Sequence, residues 1–175
     1  SREAVSSSAP SRNPSRVPGP ISSTYQVALQ LLARRELSTA QVRDRLTRRK
    51  LPAFEIEAAI TRLTRERAVD DARTALASAR RAAEVKLRGQ SRARLEIEAL
   101  GIDPATARRA VAEVFDAVDE EAVLERAIAK RLDGPIRDRA QFRRLYRALV
   151  RQGFPPDRVA AALVVRSEGH VGMEE

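Results

Sequence analysis

A helix–turn–helix pattern that recurs three times is the feature that most restricts the fold of this chain of 175 residues. The turns contain Lys50-Leu51-Pro52, Gly101-Ile102-Asp103 and Gly153-Phe154-Pro155, so successive turns are 51 and 52 residues apart. A glycine that ends a helix adopts the left-handed conformation without steric cost, and the apolar residue after it folds back onto the helix. We therefore expect Gly101, Gly153 and Phe154 to be structural turn residues. Matching apolar positions flank each turn: Leu46 and Ile56, Ile97 and Ala107, Leu149 and Val159.

Further apolar stripes at helical spacing fill the chain between these turns. Tyr25, Ala28, Leu29 and Leu32 follow the i, i+3, i+4, i+7 pattern of one helix face. No stretch shows the sustained period-two alternation of a strand, so no sheet is expected. The prediction is an all-α fold of tandem three-helix repeats in an elongated, curved array. The predicted repeats cover residues 24–69, 70–118 and 119–167.

The two ends of the chain differ from this helical body. Residues 1–23 hold eight serines and four prolines. Such a composition buries too little apolar surface to offset the entropy of ordering, which predicts a disordered tail. Residues 168–175 are predicted to be a shorter C-terminal tail.

Several helix starts are marked by residues that bind free backbone N–H groups. Ser38 followed by Gln41 predicts a capping box. Asp103 before Pro104 predicts an N-cap followed by proline at the first helical position. Asp70 and Asp71 place negative charge where a helix N-terminus is positive, so we interpret them as caps rather than metal ligands.

The composition excludes most enzyme classes. The chain has no cysteine and a single histidine, His170, so thiol nucleophiles, cysteine-based zinc sites and Ser/His/Asp catalysis are poorly supported. The longest apolar run, 159–165, is far shorter than the ~20 residues that span a bilayer. We expect a cytoplasmic, monomeric, non-enzymatic protein that needs no cofactor and no metal and has no membrane partner.

The charge predicts a polyanionic partner. The formal net charge is +9, and the first predicted repeat contributes +5 of it. A basic surface favours nucleic acid or a nucleoprotein complex. Two clusters are candidate binding residues, one in each of the first two repeats: Arg43, Arg45, Arg48, Arg49 and Lys50, and then Arg80, Arg81, Lys86, Arg88, Arg92 and Arg94. For each arginine, a solvated helix face is an equally open interpretation.

Four motifs along the chain resemble the bacterial regulatory protein RecX family. They are Val69-Asp70-Asp71, Lys86-Leu87-Arg88-Gly89, Leu100-Gly101-Ile102 and Arg151-Gln152-Gly153-Phe154. The resemblance spans roughly residues 24–166, and it departs from the family pattern at Lys50, where glycine is usual. It implies arrays of three-helix repeats that bind the filament of RecA recombinase on single-stranded DNA. It also implies modulation, mostly inhibition, of the ATPase, strand-exchange and coprotease activities of RecA in recombination, DNA repair and the SOS response.

A second function stays open. Each pair of helices joined by a short turn could mimic a DNA-binding helix-turn-helix, so the chain could be a stand-alone basic DNA-binding module. A filament modulator should bind free single-stranded DNA only secondarily and without sequence preference, whereas a DNA-binding module should hold free duplex with a steep salt dependence.

Overall fold

Three groups of three helices follow one another in the computed structural model, which describes residues 23–167. This part of the chain contains nine α-helices and no strand, so the predicted all-α class is confirmed. The helices are α1 (Ser23–Arg34), α2 (Thr39–Arg48), α3 (Ala53–Arg65), α4 (Asp71–Glu84), α5 (Gln90–Glu98), α6 (Pro104–Asp116), α7 (Glu120–Ala129), α8 (Arg139–Arg151) and α9 (Pro156–Ser167). Repeats 1, 2 and 3 are used below for α1–α3, α4–α6 and α7–α9. Most of the predicted N-terminal tail, and all of the C-terminal tail, lie outside the described residues.

The helix starts follow the predicted capping chemistry. The Ser38 hydroxyl accepts a hydrogen bond from the N–H of Gln41 at 3.1 Å, and the Gln41 side chain accepts one from the N–H of Ser38 at 3.2 Å. Asp70 caps α4 and Asp103 caps α6, each through its carboxylate. The capping box and the caps at Asp70 and Asp103 are therefore confirmed, whereas Asp71 is the first residue of α4 and its carboxylate accepts a hydrogen bond from the N–H of Thr39 at 2.7 Å.

The three turns share one backbone conformation. Gly101 has φ +77° and Gly153 has φ +93°, as predicted for glycines that end helices. Lys50 occupies the same left-handed region with φ +57°. A residue with a Cβ atom is strained there by roughly 1–2 kcal/mol. The first turn is thus built like the others, at a conformational cost that the glycines avoid.

Each repeat has its own apolar core. Ile56, Ala59, Ile60 and Leu63, which lie on one face of α3 at helical spacing, are all buried in repeat 1. The stripe predicted for α1 is partly wrong, because Leu29 is 38% exposed and Leu31 is buried in its place. The buried face of α1 passes through Thr24, Tyr25, Ala28 and Leu31, which also follow helical spacing, and α1 packs against α3.

Neighbouring repeats join through the same pair of elements. The start of α2 in repeat 1 lies on the α5–α6 turn of repeat 2, where the Ser38 hydroxyl donates to the carbonyl of Leu100 at 2.5 Å. The start of α5 in repeat 2 lies on the α8–α9 turn of repeat 3, where the N–H of Gly89 donates to the carbonyl of Gln152 at 2.9 Å. Each joint therefore places the beginning of a middle helix against the glycine turn of the next repeat.

Candidate polyanion-binding surface

Three cations converge on one carboxylate at the start of α5. Lys86 Nζ lies 2.7 Å from Glu96, Arg88 Nε lies 3.3 Å from it, and Arg92 Nε lies 3.2 Å from it. Arg92 and Glu96 are one helical turn apart on α5, whereas Lys86 and Arg88 come from the segment before the helix. One negative charge thus holds three positive side chains, and the group keeps an excess of positive charge.

The backbone before α5 brings Lys86 and Arg88 to the same side. Leu87, between them, has φ +52°, and its side chain is 6% exposed within the apolar core of repeat 3. The buried leucine fixes the segment, so the two basic side chains on either side of it are turned toward Glu96. Leucine rarely adopts a positive φ, so tertiary packing holds this conformation.

The ionisation of Glu96 reflects this group of cations. Burial by itself would raise the pKa of the Glu96 carboxyl. The hydrogen bond and charge of Lys86, followed by the hydrogen bond of Arg92 and the charge of Arg88, outweigh burial and hold that pKa below its usual value. Glu96 is therefore ionised at neutral pH and stabilises the cation cluster.

Two open cavities lie at the joints on either side of this cluster. The cavity between repeats 1 and 2 has a volume of about 530 Å³, and its basic lining residues are Arg35, Arg81 and Lys86. The cavity between repeats 2 and 3 has a volume of about 330 Å³, and its basic lining residues are Arg88, Arg92, Arg131 and Arg151. Since Glu96 pairs with cations that line both cavities, the seven side chains form one region, which we call the basic junction surface.

Helix α8 extends the positive charge into repeat 3. Arg139, Arg143, Arg147 and Arg151 recur every four residues and are all exposed. Residues four apart lie on one helix face, about 6 Å apart along the axis. We call these four residues the α8 arginine stripe; none of them forms an ion pair with a carboxylate of residues 23–167. This stripe is the longest run of uncompensated arginines on a single described helix.

The arginines of α8 also affect the pKa of one acidic group, the carboxyl of Asp138. Asp138, the N-cap of α8, accepts a hydrogen bond from the N–H of Gln141 at 2.7 Å. That bond is the main reason why the pKa of Asp138 is lowered, with further contributions from the N–H of Ala140 and the charges of Arg144 and Arg143. The carboxylate is engaged with the helix end and leaves the guanidinium groups further along α8 exposed.

The candidate residues predicted in the first repeat differ in their ion pairing. Arg43 on α2 pairs with Glu57 on α3 at 2.7 Å, and Arg48 pairs with Asp44 at 3.0 Å within α2. The remaining three members, by contrast, form no ion pair within the described segment: Arg45, Arg49 and Lys50. Exposed pairs of this kind contribute little stability, so they act chiefly by reducing the local positive charge.

The residues of the second predicted cluster lie in several different surroundings. Lys86, Arg88 and Arg92 meet at Glu96, whereas Arg94 pairs with Glu98 at 3.2 Å one turn along α5. Arg81 lines the cavity between repeats 1 and 2, and Arg80 is exposed on α4. The sequence prediction did not include Arg131, Arg151 or the rest of the α8 arginine stripe. The signal was present in α8, which has five arginines and no acidic residue, but the charge total over residues 119–175, eleven basic against ten acidic, concealed it.

Two further features are absent from residues 23–167. No group of three or more acidic or histidine side chains there is arranged to hold a metal ion. None of its helices is long and apolar enough to cross a membrane.

Comparison with known proteins gives consistent matches. The family model for RecX, first three-helix domain, matches residues 25–63, which lie within α1–α3. The regulatory protein RecX of Treponema pallidum (strain Nichols) is 35% identical over 148 residues, which cover 82% of this chain and 85% of that protein. The regulatory protein RecX of Geobacillus kaustophilus is 31% identical over 146 residues, which cover 82% of this chain.

The chain spans about half the length of the Geobacillus relative, 54%. Among solved structures, the crystal structure of RecX from Lactobacillus salivarius superposes with a TM-score of 0.66 over 83% of this chain and 97% of that one, at 22% identity. The Lactobacillus protein therefore has the same fold as this chain. The helical repeats and glycine turns agree with this match. The 35% identity to the Treponema protein, over 82% of the chain, shows that this chain belongs to the RecX family of regulatory proteins.

Proposed function

We propose that this protein regulates the RecA recombinase by docking on the RecA–single-stranded-DNA filament. Its relatives are named regulatory proteins, and the basic junction surface with the α8 arginine stripe supplies a positive region across all three repeats. A nucleoprotein filament carries phosphate and carboxylate charge along its length, and an extended positive surface complements such a target. The observation that supports the proposal most is the continuity of uncompensated arginines from the joint between repeats 2 and 3 onto α8.

The proposed activity is non-enzymatic and mostly inhibitory. Binding along or at the end of a filament changes ATP hydrolysis and strand exchange without any bond-making step by the regulator. The protein acts as a monomer in this proposal, with the recombinase filament as its partner and single-stranded DNA as a secondary, sequence-independent contact.

DNA-dependent ATP hydrolysis by the cognate recombinase tests the proposal. The protein is titrated from far below the recombinase concentration to parity. Inhibition well below parity supports docking at filament ends, and inhibition only near parity supports coating of the filament. No effect at parity, together with tight binding to bare DNA, would overturn the regulator proposal.

The alternative of a stand-alone DNA-binding module has one observation in its favour, the α8 arginine stripe on the middle helix of repeat 3. Binding to free duplex DNA at several salt concentrations separates the two. A module whose stripe arginines bind duplex phosphates loses affinity as salt is added. The logarithm of its binding constant falls by about 0.9 per logarithmic unit of salt for each phosphate contacted. A filament regulator binds free duplex weakly at every salt concentration and responds to the assembled filament.

A further inference from the structure

The cavity between repeats 2 and 3 has a lining that suits a small oxyanion. Four guanidinium groups, one methyl group and one amide surround about 330 Å³: Arg88, Arg92, Arg131, Arg151, Ala148 and Gln152. No acidic side chain of the described residues is part of the lining. A cavity with four cations and no carboxylate in its wall attracts an anion strongly.

The charge of this lining is only partly compensated from outside. Glu96 pairs with Arg88 and Arg92, and it also pairs with Lys86. Arg131 and Arg151 form no ion pair with any carboxylate in residues 23–167. No carboxylate of the described residues therefore compensates the positive charge on the repeat 3 side of the cavity.

A buried amide orients two of the guanidinium groups. Gln152 is 5% exposed, and the guanidinium groups of Arg88 and Arg131 face its side chain. Because a guanidinium can only donate, the amide oxygen of Gln152 is the atom that faces them, and it accepts from Arg131 Nη2 at 2.9 Å and from Arg88 Nη1 at 3.0 Å. Arg131 is held further by a hydrogen bond to the carbonyl of Ala127 at 3.1 Å.

Donor capacity is left over at this site. Arg88 Nε is buried beside Glu96 at 3.3 Å and Arg88 Nη1 faces Gln152, which leaves Arg88 Nη2 without a hydrogen bond to a described residue. The guanidinium of Arg151 is exposed on the other wall and forms no hydrogen bond to a described residue. Arginine presents its donors in a planar fork that matches the oxygens of phosphate. The site therefore combines two fixed guanidinium groups with one that is free to close on a ligand.

We propose that this cavity binds a phosphate group, with Arg88, Arg131 and Arg151 as its ligands. The phosphate is either free inorganic phosphate or a phosphodiester of a nucleic-acid strand, since both present the same oxygens. The ligand contacts repeat 2 through Arg88 and repeat 3 through Arg131 and Arg151, so its binding stabilises the joint between these repeats. This inference does not depend on the recombinase, because it concerns a site of the isolated protein.

Thermal unfolding and calorimetric titration of the whole protein test the proposal, with two probes at matched ionic strength. One probe is inorganic phosphate, compared with chloride, and the other is a short oligothymidylate without a terminal phosphate. We expect the wild type to bind at least one probe and to melt at a higher temperature in its presence. Binding of inorganic phosphate identifies a free anion as a sufficient ligand, and binding of the oligothymidylate alone identifies the strand as the source of the phosphate.

Three variants make the assignment specific. Arg151→Gln and Arg131→Gln should each weaken binding by about tenfold or more, the loss expected for one charge-assisted contact. Arg94→Gln is the matched control, because Arg94 lies on the same α5 helix but pairs with Glu98 outside the cavity. Arg151 has no structural partner among the described side chains, so its replacement leaves the fold intact even if Arg131→Gln unfolds it. Failure of both probes to bind, or equal losses in Arg151→Gln and Arg94→Gln, would overturn the proposal.

Discussion

Gly89 and Gly153 meet across the joint between repeats 2 and 3, where a Cβ atom on Gly89 would lie 2.3 Å from the carbonyl oxygen of Gly153. In the reverse direction, a Cβ on Gly153 would lie 2.4 Å from the backbone nitrogen of Arg92. Both distances are well below any real contact, so the two backbones touch only because neither residue has a side chain. This contact brings Arg88 and Arg92 of repeat 2 beside Arg151 of repeat 3, and so the joint creates the basic cavity.

The first prediction concerns Gly153. Gly153→Ala should lower the free energy of unfolding by at least about 2 kcal/mol, because it adds a backbone clash to the left-handed strain of roughly 1–2 kcal/mol. Gly134→Ala is the control, since Gly134 has φ +101° but nothing lies within 4 Å of its added Cβ. It should cost only the conformational strain. Urea unfolding followed by circular dichroism measures both, and equal losses would show that the glycine contact is unimportant.

The second prediction concerns the first turn. Lys50 is exposed and already bears the left-handed strain, so Lys50→Gly should leave stability unchanged or raise it by up to about 1 kcal/mol. At the equivalent position of repeat 2, a Cβ on Gly101 would lie 2.4 Å from the Cβ of Ala40 in repeat 1. Gly101→Ala should therefore be destabilising. Melting temperatures of the two variants check the contrast, and a destabilised Lys50→Gly would contradict it.

The third prediction concerns pH. The pKa of Glu96 is lowered in the folded protein, so its ionised form stabilises the fold fully above the unfolded pKa, and this stabilisation is lost as the pH falls through the folded pKa. Glu96→Gln should lower the melting temperature at neutral pH, and its difference from the wild type should shrink below about pH 4.

Glu98→Gln provides the comparison for this measurement. Glu98 pairs with Arg94 alone, whereas Glu96 pairs with three cations. The melting temperature of Glu98→Gln should stay closer to that of the wild type at neutral pH. A Glu96→Gln difference that is constant from neutral to acid pH would contradict the assigned role of the carboxylate.

The fourth prediction concerns the α8 arginine stripe. Replacement of both Arg143 and Arg147 by alanine should reduce inhibition of the recombinase ATPase while helicity and melting are unchanged, because both side chains are exposed. If they contact single-stranded phosphates, the salt slope of binding should fall by about 0.7 for each lost contact. The matched control is the Arg43→Ala, Arg48→Ala double variant, whose arginines already pair with Glu57 and Asp44. Equal inhibition by both variants would place the docking surface elsewhere.

The helix ends and turns could be predicted because their signals are local. Ser38 and Gln41 are three residues apart, and Asp103 precedes the helix that it caps. The conformation of Gly101 and Gly153 follows from a backbone preference of one residue. The choice between Leu29 and Leu31 on α1 could not be predicted, because both lie on possible apolar faces of the same helix and only packing selects one.

The candidate surface was predictable only in part. Lys86, Arg88 and Arg92 are close in sequence and were selected together, and the structure places all three on Glu96. Arg131 and Arg151 line a cavity with Arg88 and Arg92, although they come at least 39 residues later in the chain. Residues 119–175 have a net charge of only +1, because ten acidic residues, three of them after residue 167, offset eleven basic ones, and this total concealed the arginines of α8.

The sequence by itself determined the helical class, the threefold repetition and the caps, because hydrophobic period and backbone preference act over a few residues. Tertiary structure alone decided which charges are compensated, since an ion pair depends on distances between atoms that the chain order does not specify. Arg94 is compensated by Glu98 and Arg151 is left free among the described residues, although both are arginines on exposed helix faces. The joint at Gly89 and Gly153 makes that difference, because it sets which side chains from separate repeats face one another.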